Sequence, residues 1–444
     1  MIQPHPGLLK ISHQSVFSET SGNATAVAFF GFFSLAAGFS AQAASTAQLQ
    51  SAPGAFATLP TAPSGFNRSP AAPDTGSGVG GLLLDGLSFA TSLGLTYDSN
   101  VTQGAVTTAG TQQGDVYMSL GGTASYQSKA SDLTFGGNYH GSYNQYFSNT
   151  DFSGFSQGAG LTANYDAGRL SVTGQLGLAY DHGSNRNYGS DVVDQTSINT
   201  SLSARYRVSP KTSLTGNINE NFNTSSGDFN QTSNLDMGAS ALWKYSPLTE
   251  FGPGIRYTGS TDGTGDARSS IGPTVTVNYK LSTKVSLNSR LGVDFATYEK
   301  SGSADPTFST SLALDYRASK LWGMSLSLFR DTQSDPSVSG GYYEVTALRL
   351  GYNRKIRRAT LNLGCSYETS SYSVPAFTGV VSGTTPVPPP QPDRDYLSLD
   401  SSLGMLIFHN TTSASIFLRY SDQSGGGVNS WDSVQTGVSI SRSF

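Results

Sequence analysis

The chain has 444 residues and a formal net charge of −4, and only 13% of its residues are charged. Soluble domains carry about a quarter charged residues, so this composition is unlike that of two or three soluble domains. The acidic balance leaves no basic surface for nucleic acid, and beyond the N-terminal region no apolar run reaches the roughly 18 residues of a membrane-spanning helix.

Residues 1–43 are predicted to be a signal peptide. Ala24 to Gly38 form a mostly apolar core, and Ala41-Gln42-Ala43 fits the small-residue rule for cleavage. Lys10 is the only Lys or Arg before this core, so the n-region is atypical. The prediction is export through the periplasm.

Residues 44–84 are rich in Pro, Ala, Ser and Gly, a composition typical of a disordered linker. The plug domain of a TonB-dependent transporter needs a longer folded region than this, so that class is not expected. The barrel domain is predicted to occupy residues 85–444.

Within residues 85–444, segments of period two are joined by connections that alternate between short and long. The short connections are predicted at Gln127 to Lys129, Asp166 to Gly168, Val208 to Pro210, Ser246 to Leu248, Leu281 to Ser282, Ser319 to Lys320, Lys355 to Ile356, and His409 to Asn410. The long ones are predicted at Asp98 to Gly114, Asn144 to Gly154, Asp181 to Gln195, Asn223 to Thr232, Ser260 to Asp266, Glu299 to Thr307, Thr332 to Gly341, Thr369 to Asp393, and Asp422 to Ser430. This rhythm indicates about 18 strands of about 10 to 14 residues.

The two faces of each segment differ in polarity. From Lys284 to Tyr298, Leu287 and Leu291 share an apolar face, whereas Asn288 and Arg290 share a polar one. We therefore predict an all-β fold, a transmembrane antiparallel up-and-down β-barrel with lipid outside, short periplasmic turns and long extracellular loops. A soluble β-sandwich, which would bury the apolar faces, is the alternative.

The last segment ends in Gly437-Val438-Ser439-Ile440-Ser441-Arg442-Ser443-Phe444. It resembles the C-terminal recognition strand of bacterial outer-membrane proteins. The resemblance implies that Val438, Ile440 and Phe444 form a membrane-insertion signal and that the barrel assembly machinery is a partner. Arg442 departs from this pattern, because an apolar residue is usual there.

The first segment, Leu93 to Val101, contains Tyr97-Asp98-Ser99-Asn100. It resembles the opening strand of the outer-membrane β-barrel porin families of Gram-negative bacteria. The resemblance implies a cell outer-membrane location and a porin-like barrel.

Alternation also predicts which charged residues line the lumen. Arginines are in mild excess in this set, which favours a channel for small hydrophilic solutes with a weak preference for anions. The alternative is that these charges pair, as Arg290 and Asp294 would with Asp315 and Arg317. The predicted pore-lining residues are Arg205, Arg256, Arg290, Asp294, Asp315, Arg317, Arg349, Glu368, Asp400 and Arg419.

Two other functions stay open: a conduit for an exported polysaccharide, and a closed barrel with a structural or surface-interaction role. The proline-rich loop Thr369 to Asp393 is predicted to stand outside the barrel, although it would also serve as an inward constriction. Acidic long loops and basic turns predict rims of opposite sign, with lipopolysaccharide as a partner through divalent cations. Oligomeric state is left open.

Catalysis is not expected. Asp181 and His182 at an outer rim resemble a catalytic pair, but such neighbours are common by chance. The sequence has no cluster of His and Cys with metal-ligand spacing, so neither a metal site nor a cofactor is predicted.

Overall fold

The computed structural model describes residues 86–102, 113–185, 189–227, 231–261, 267–299, 302–303, 305–334, 342–373, 393–408, 411–425 and 430–444. The predicted signal peptide (1–43) and linker (44–84) lie outside these residues. So do most of the predicted loop from Thr369 to Asp393 and the predicted turn at His409 and Asn410.

The described residues form one antiparallel sheet. Its strands are β1 (Leu87–Asp98), β2 (Asp115–Ala130), β3 (Leu133–Tyr146), β4 (Gly154–Ala167), β5 (Leu170–Asn185), β6 (Gly189–Arg207), β7 (Thr212–Ser225), β8 (Thr232–Lys244), β9 (Thr249–Thr261), β10 (Ala267–Lys280), β11 (Val285–Tyr298), β12 (Gly302–Ser303), β13 (Thr307–Tyr316), β14 (Trp322–Ser334), β15 (Tyr342–Ile356), β16 (Ala359–Ser373), β17 (Arg394–Phe408), β18 (Thr412–Gly425) and β19 (Trp431–Ser443). A 3₁₀ turn, Thr150–Phe152, lies between β3 and β4. In the described parts of the chain no helix has the length and apolarity to cross a membrane.

Each long strand pairs with the next one along the chain, and β1 pairs with β19. The two-residue β12 pairs with the end of β11, which also pairs directly with β13, so eighteen strands form the wall. Closure leaves no free sheet edge, which is how a β-structure satisfies its backbone in lipid. The predicted up-and-down barrel is therefore confirmed.

The seam between the first and last strands is reinforced at the loop end. The Asp98 carboxylate accepts hydrogen bonds from Ser433 Oγ at 2.7 Å, from Gln435 Nε2 at 2.7 Å and from its own chain at Asn100 N at 2.8 Å. Ser99 N donates to Val434 O at 3.0 Å. The Tyr-Asp-Ser-Asn stretch thus joins β1 to β19.

The outer surface is apolar around the wall. The large apolar side chains that are exposed occupy one phase of the alternation, among them Leu93, Leu120, Ile218, Ile255, Ile271, Val275, Leu291, Leu350, Leu403, Ile416 and Ile440. The buried polar side chains of the same strands occupy the opposite phase and face inward. A closed barrel with an apolar exterior has the architecture of outer-membrane proteins, so the chain is an integral outer-membrane β-barrel.

Several predicted boundaries are wrong. β5 extends to Asn185 and β6 begins at Gly189, so most of the predicted loop from Asp181 to Gln195 is strand. The predicted turn from Gln127 to Lys129 lies within β2, and the chain instead turns at Ser131, where φ is 22°. The outer halves of the strands are polar and rich in glycine, so their composition resembles that of loops although their backbones remain paired.

Two glycine–proline pairs bend the wall. The ladder between β8 and β9 skips Gly252 and Pro253, and the ladder between β10 and β11 skips Gly272 and Pro273. Proline has no N–H for a ladder, and glycine permits a close approach of backbones. A Cβ on Gly272 would lie only 1.8 Å from the carbonyl oxygen of Val293. These positions therefore form a corner of the barrel.

The lipid-facing surface is tested by placing a charge at two depths. Leu291 lies near the middle of β11 and is 42% exposed, whereas Leu281 lies at a turn and is 58% exposed. Leu291→Arg should destabilise the barrel in lipid by about 2–4 kcal/mol, and Leu281→Arg by about 0–1 kcal/mol. Urea unfolding in vesicles measures both, and equal losses would contradict the assigned membrane depth.

The corner is tested by adding a single methyl group. Gly272→Ala should destabilise the barrel by about 1–3 kcal/mol, because the new Cβ must displace the β11 backbone. Gly404→Ala is the control, since the nearest atom to its Cβ would be 4.0 Å away. Midpoints of urea unfolding compare the two variants, and an unchanged midpoint for Gly272→Ala would argue against the close approach.

Candidate functional site

The predicted pore-lining residues all lie in the inward phase of the wall. Nine of them are strand residues in the phase opposite to that of the exposed apolar side chains, and Arg317 directly follows β13 in the same phase. They come from β6, β9, β11, β13, β15, β16, β17 and β18, so the lumen carries charge on most of its circumference.

Arg256 of β9 is the centre of the densest charge cluster. Its Nε donates to Asp236 of β8 at 2.5 Å, and its Nη1 donates to Asp294 of β11 at 3.0 Å. Both of its terminal nitrogens bind Asp331 of β14, at 2.5 Å and 3.3 Å. The guanidinium group is thus held by carboxylates from three other strands.

The bond to Asp331 joins parts of the wall that are not neighbours. Four inter-strand steps separate β9 from β14, which is roughly 19 Å along the sheet. Even so, Cα atoms of β14 approach those of β8 and β9 to within 8 Å. The wall therefore folds inward here, next to the glycine–proline corner, and Arg256 fastens the two sides together.

The arc between β9 and β14 is filled with polar side chains. Arg268, Ser270, Thr274 and Ser309 point inward and are buried, and Thr258 Oγ1 lies 2.6 Å from Ser270 Oγ. This side of the lumen is packed rather than open.

Other inward arginines are also paired. Arg419 Nε donates to Asp400 at 2.5 Å, and Arg205 binds Glu250. Arg290 lies 3.9 Å from Asp236 and donates to Asn217 Oδ1 at 3.1 Å.

The sequence suggested ion pairs between β11 and the Asp315–Arg317 region at the end of β13, and these partners are wrong. Arg290 and Asp294 pair towards β8 and β9, not with Asp315 and Arg317. The reason is that the inward fold of the wall brings β8 closer to β11 than the flat sheet suggested. Asp315 stands opposite Ser286 and Ser325 in the ladders.

Three inward arginines, Arg268, Arg317 and Arg349, form no ion pair with a carboxylate of the described residues, and buried Arg268 donates to Thr258 Oγ1 at 3.5 Å. Arg317 lies at the turn end and is exposed. Arg349 lies at mid-strand on β15, with its guanidinium carbon 5.3 Å from the centre of the Phe329 ring. Unlike Arg268, Arg317 and Arg349 are not buried.

The first long loop narrows the mouth at the loop end. Asn100 and Val101 are buried, and the carbonyl of Val101 accepts a hydrogen bond from Ser184 Oγ of β5 at 2.6 Å. Because β2, β3 and β4 separate β1 from β5 in the wall, the chain at Val101 leaves the wall and crosses the mouth. Sequence analysis had considered only the loop from Thr369 to Asp393 for this role.

His182 pairs with Asp194 rather than with its sequence neighbour Asp181. Its Nδ1 lies 2.7 Å from Asp194 Oδ1, and Tyr180 donates to the same oxygen at 2.9 Å. Asp181 is buried on the opposite face of β5. His182 Nε2 is 3.4 Å from the Asp151 carbonyl oxygen, so a backbone acceptor occupies the position that a nucleophile would need.

The C-terminal strand exposes the three residues assigned to the insertion signal. Val438, Ile440 and Phe444 are all exposed on the outer face, and Phe444 N donates to Phe89 O at 2.9 Å. Arg442 shares this face and places its guanidinium 5.3 Å from the Phe444 ring. A cation over an aromatic ring at the membrane interface is compatible with lipid, which accounts for the unusual residue.

Sequence analysis missed Asp236, Glu250, Asp331 and Phe329. All four lie in the inward phase of their strands, so the alternation that selected the other residues would also have found them. The described residues hold no group of three or more His, Cys, Asp or Glu side chains arranged to hold a metal.

The sequence matches a family model over residues 253–382, a minority of the chain. Its description is "Putative MetA-pathway of phenol degradation". No curated protein is significantly similar in sequence to this chain.

Solved structures of outer-membrane proteins resemble the fold at low identity. OccAB3 of Acinetobacter baumannii is 12% identical over 82% of this chain and 100% of its own, with a TM-score of 0.40. OpdK of Pseudomonas aeruginosa, solved with vanillate, is 10% identical over 81% and 99%, with a TM-score of 0.39. The FrpB iron transporter of Neisseria meningitidis is 11% identical over 82% and 83%, with a TM-score of 0.41.

Replacing Arg256, at the centre of the cluster, tests how much its ion pairs stabilise the barrel. Arg256→Leu leaves three carboxylates facing one another and should destabilise the barrel by about 3–5 kcal/mol. Arg419→Leu is the control, because its partner Asp400 is 42% exposed, and should cost about 0–1 kcal/mol. Unfolding by urea in vesicles measures both losses. If the Arg256→Leu loss were no larger than the control, the inward fold would not depend on Arg256.

Proposed function

We propose that this protein is a channel for passive diffusion of small hydrophilic solutes across the outer membrane. The observation that carries the proposal is the contrast between the two faces of a closed eighteen-strand wall, apolar outside and polar or charged inside. A barrel of this strand number has room for an aqueous path.

The proposed path lies off-centre. The arc from β9 to β14 is packed with buried polar side chains behind the Arg256–Asp331 bond. Solute would pass on the side of β15–β19 and β1–β7, below the crossing at Val101. Both features reduce the open cross-section, so the channel should admit small solutes and exclude large ones.

Ion preference is proposed to be weak and in favour of anions. Four of the six inward arginines predicted from the sequence are paired with carboxylates, which cancels most of their field at a distance. Arg317 and Arg349 form no ion pair in the described part of the chain and are not buried, so they are the groups proposed to give the path this preference.

The proposed partners beyond solutes are those of an outer-membrane barrel. Exposed acidic residues at the loop end, including Asp151, Glu299 and Asp305, would bind divalent cations that bridge to lipopolysaccharide phosphates. The exposed Val438, Ile440 and Phe444 would be read by the barrel assembly machinery before insertion. A catalytic role is not part of the proposal, because both ring nitrogens of His182 are already engaged.

Planar-bilayer recording of the refolded protein in a KCl gradient tests the proposal. We expect stable open channels and a small reversal potential of the sign that favours chloride. Swelling of protein-loaded liposomes should be fast in arabinose and slow or absent in larger oligosaccharides, which serve as the size control.

A silent bilayer, together with no swelling in any sugar, would overturn the proposal. That outcome would favour a closed structural barrel. Silence in salt with selective passage of a long polysaccharide would instead favour an export conduit.

A further inference from the structure

Arg349 is the inward arginine whose surroundings differ most from those of the others. It lies at mid-strand on β15, is only partly buried, and rests over the ring of Phe329 on β14. The arginines at positions 205, 256, 290 and 419 are engaged by carboxylates, whereas no carboxylate of the described residues engages Arg349.

Small side chains surround Arg349 on the inner surface. Directly opposite it in the two ladders are Ser327 of β14 and Ser366 of β16. One step towards the turn end, the inward positions are Ser325, Gly351 and Gly364. Arg349 therefore stands beside a shallow recess with serine hydroxyls, which is bordered beyond Gly364 by the ion pair of Asp400 and Arg419.

Phe329 is held in place from behind. It packs against Tyr343, Val345 and Ala347, which are buried. Since that apolar cluster fixes the ring, Phe329 and the cluster form a rigid apolar surface on the inner side of the wall. The stacked guanidinium is ordered by the ring, yet its in-plane N–H groups remain available as a fork for an oxyanion.

The nearby acidic groups define what charge this recess accepts. Asp331, two residues from Phe329 on the same face, binds Arg256, which it shares with Asp236 and Asp294. Glu368 stands opposite Ala347, one inward position towards the loop end from Arg349. Towards the turn end, Asp315 lies opposite Ser325, and Asp400, bound by Arg419, lies opposite Gly364. Arg349 therefore favours one negative charge, whereas a second negative charge further along the wall meets carboxylates.

We propose that Arg349 and Phe329 form a solute subsite for a small organic monoanion that carries a carboxylate on a flat apolar body. The carboxylate accepts hydrogen bonds from the in-plane N–H groups of Arg349. The flat body lies along the Phe329 ring, next to Ser327 and Ser366. The inference rests on the proposed channel function and names the class of solute that the channel favours. Binding must be weak, because a solute that binds tightly does not leave a channel.

Bi-ionic reversal potentials test the subsite, with benzoate, acetate and the dianion phthalate as probes against chloride. In the unmodified channel, benzoate should be more permeant relative to acetate than their mobilities in water predict, and phthalate should be poorly permeant. Arg349→Met should remove the benzoate preference and lower benzoate permeability several-fold. Phe329→Leu should leave the permeability of acetate unchanged. It should lower the permeability ratio of benzoate to acetate to the ratio of their mobilities in water.

Two matched variants separate a subsite from a general charge effect. Arg317→Met removes an exposed inward arginine that also lacks a carboxylate partner, and should leave the ratio of benzoate to acetate unchanged. Arg349→Lys keeps the charge but loses the planar fork, and should give an intermediate ratio. Heat-modifiable migration on gels shows that each variant is a folded barrel before it is recorded.

The outcomes distinguish the inference from the proposed function. Channels that conduct KCl but pass benzoate and acetate in their mobility ratio, or in which Arg349→Met and Arg317→Met behave alike, would overturn the subsite and leave the channel intact. A silent bilayer with every salt would overturn the channel and the subsite with it.

Discussion

The constraint on which the whole structure depends is the need to satisfy every backbone N–H and C=O within lipid. A sheet meets this need only when its last strand pairs with its first, as β19 does with β1 from Ala90 and Ser443 to Asp98 and Gln435. Closure gives the sheet one face towards lipid and one towards the lumen, so apolar and polar side chains must alternate along each strand. The low charge content and the polar inner surface both follow from that requirement.

The seam between β1 and β19 shows how a short motif, Tyr97-Asp98-Ser99-Asn100, helps to close the barrel. Asp98 faces inward at the loop end of β1 and takes hydrogen bonds from two side chains of β19. The residues that follow then leave the wall at Val101 and reach β5. A stretch that resembles the opening strand of porin-like barrels therefore has two physical roles, joining the ends of the sheet and directing the first loop across the mouth.

The shape of the lumen follows from a different pair of causes. Glycine–proline pairs in β9 and β10 interrupt the ladders and let the wall bend, and Arg256 then binds Asp331 on the far side of the bend. A buried arginine with three carboxylates is expensive to desolvate, so the gain lies in holding two segments of wall in one arrangement. Carboxylates engage Arg256, Arg290, Arg205 and Arg419, whereas Arg349 has no carboxylate partner among the described residues and stays accessible to a passing anion.

The sequence by itself determined the fold class, the eighteen strands and the apolar outer face of the wall. It could do so because a period of two is a local property, set by the pleat of each strand. The sequence also contained the signals for Asp236 and Asp331, since both obey the same alternation, but alternation says nothing about partners. Only the tertiary structure decided that Arg256 binds Asp331, 75 residues away in the chain. It also decided that Arg290 turns towards β8, that the outer strand halves continue past their predicted ends, and that Val101 crosses the mouth. These outcomes depend on distances across a curved and bent wall, which no local pattern along a strand encodes.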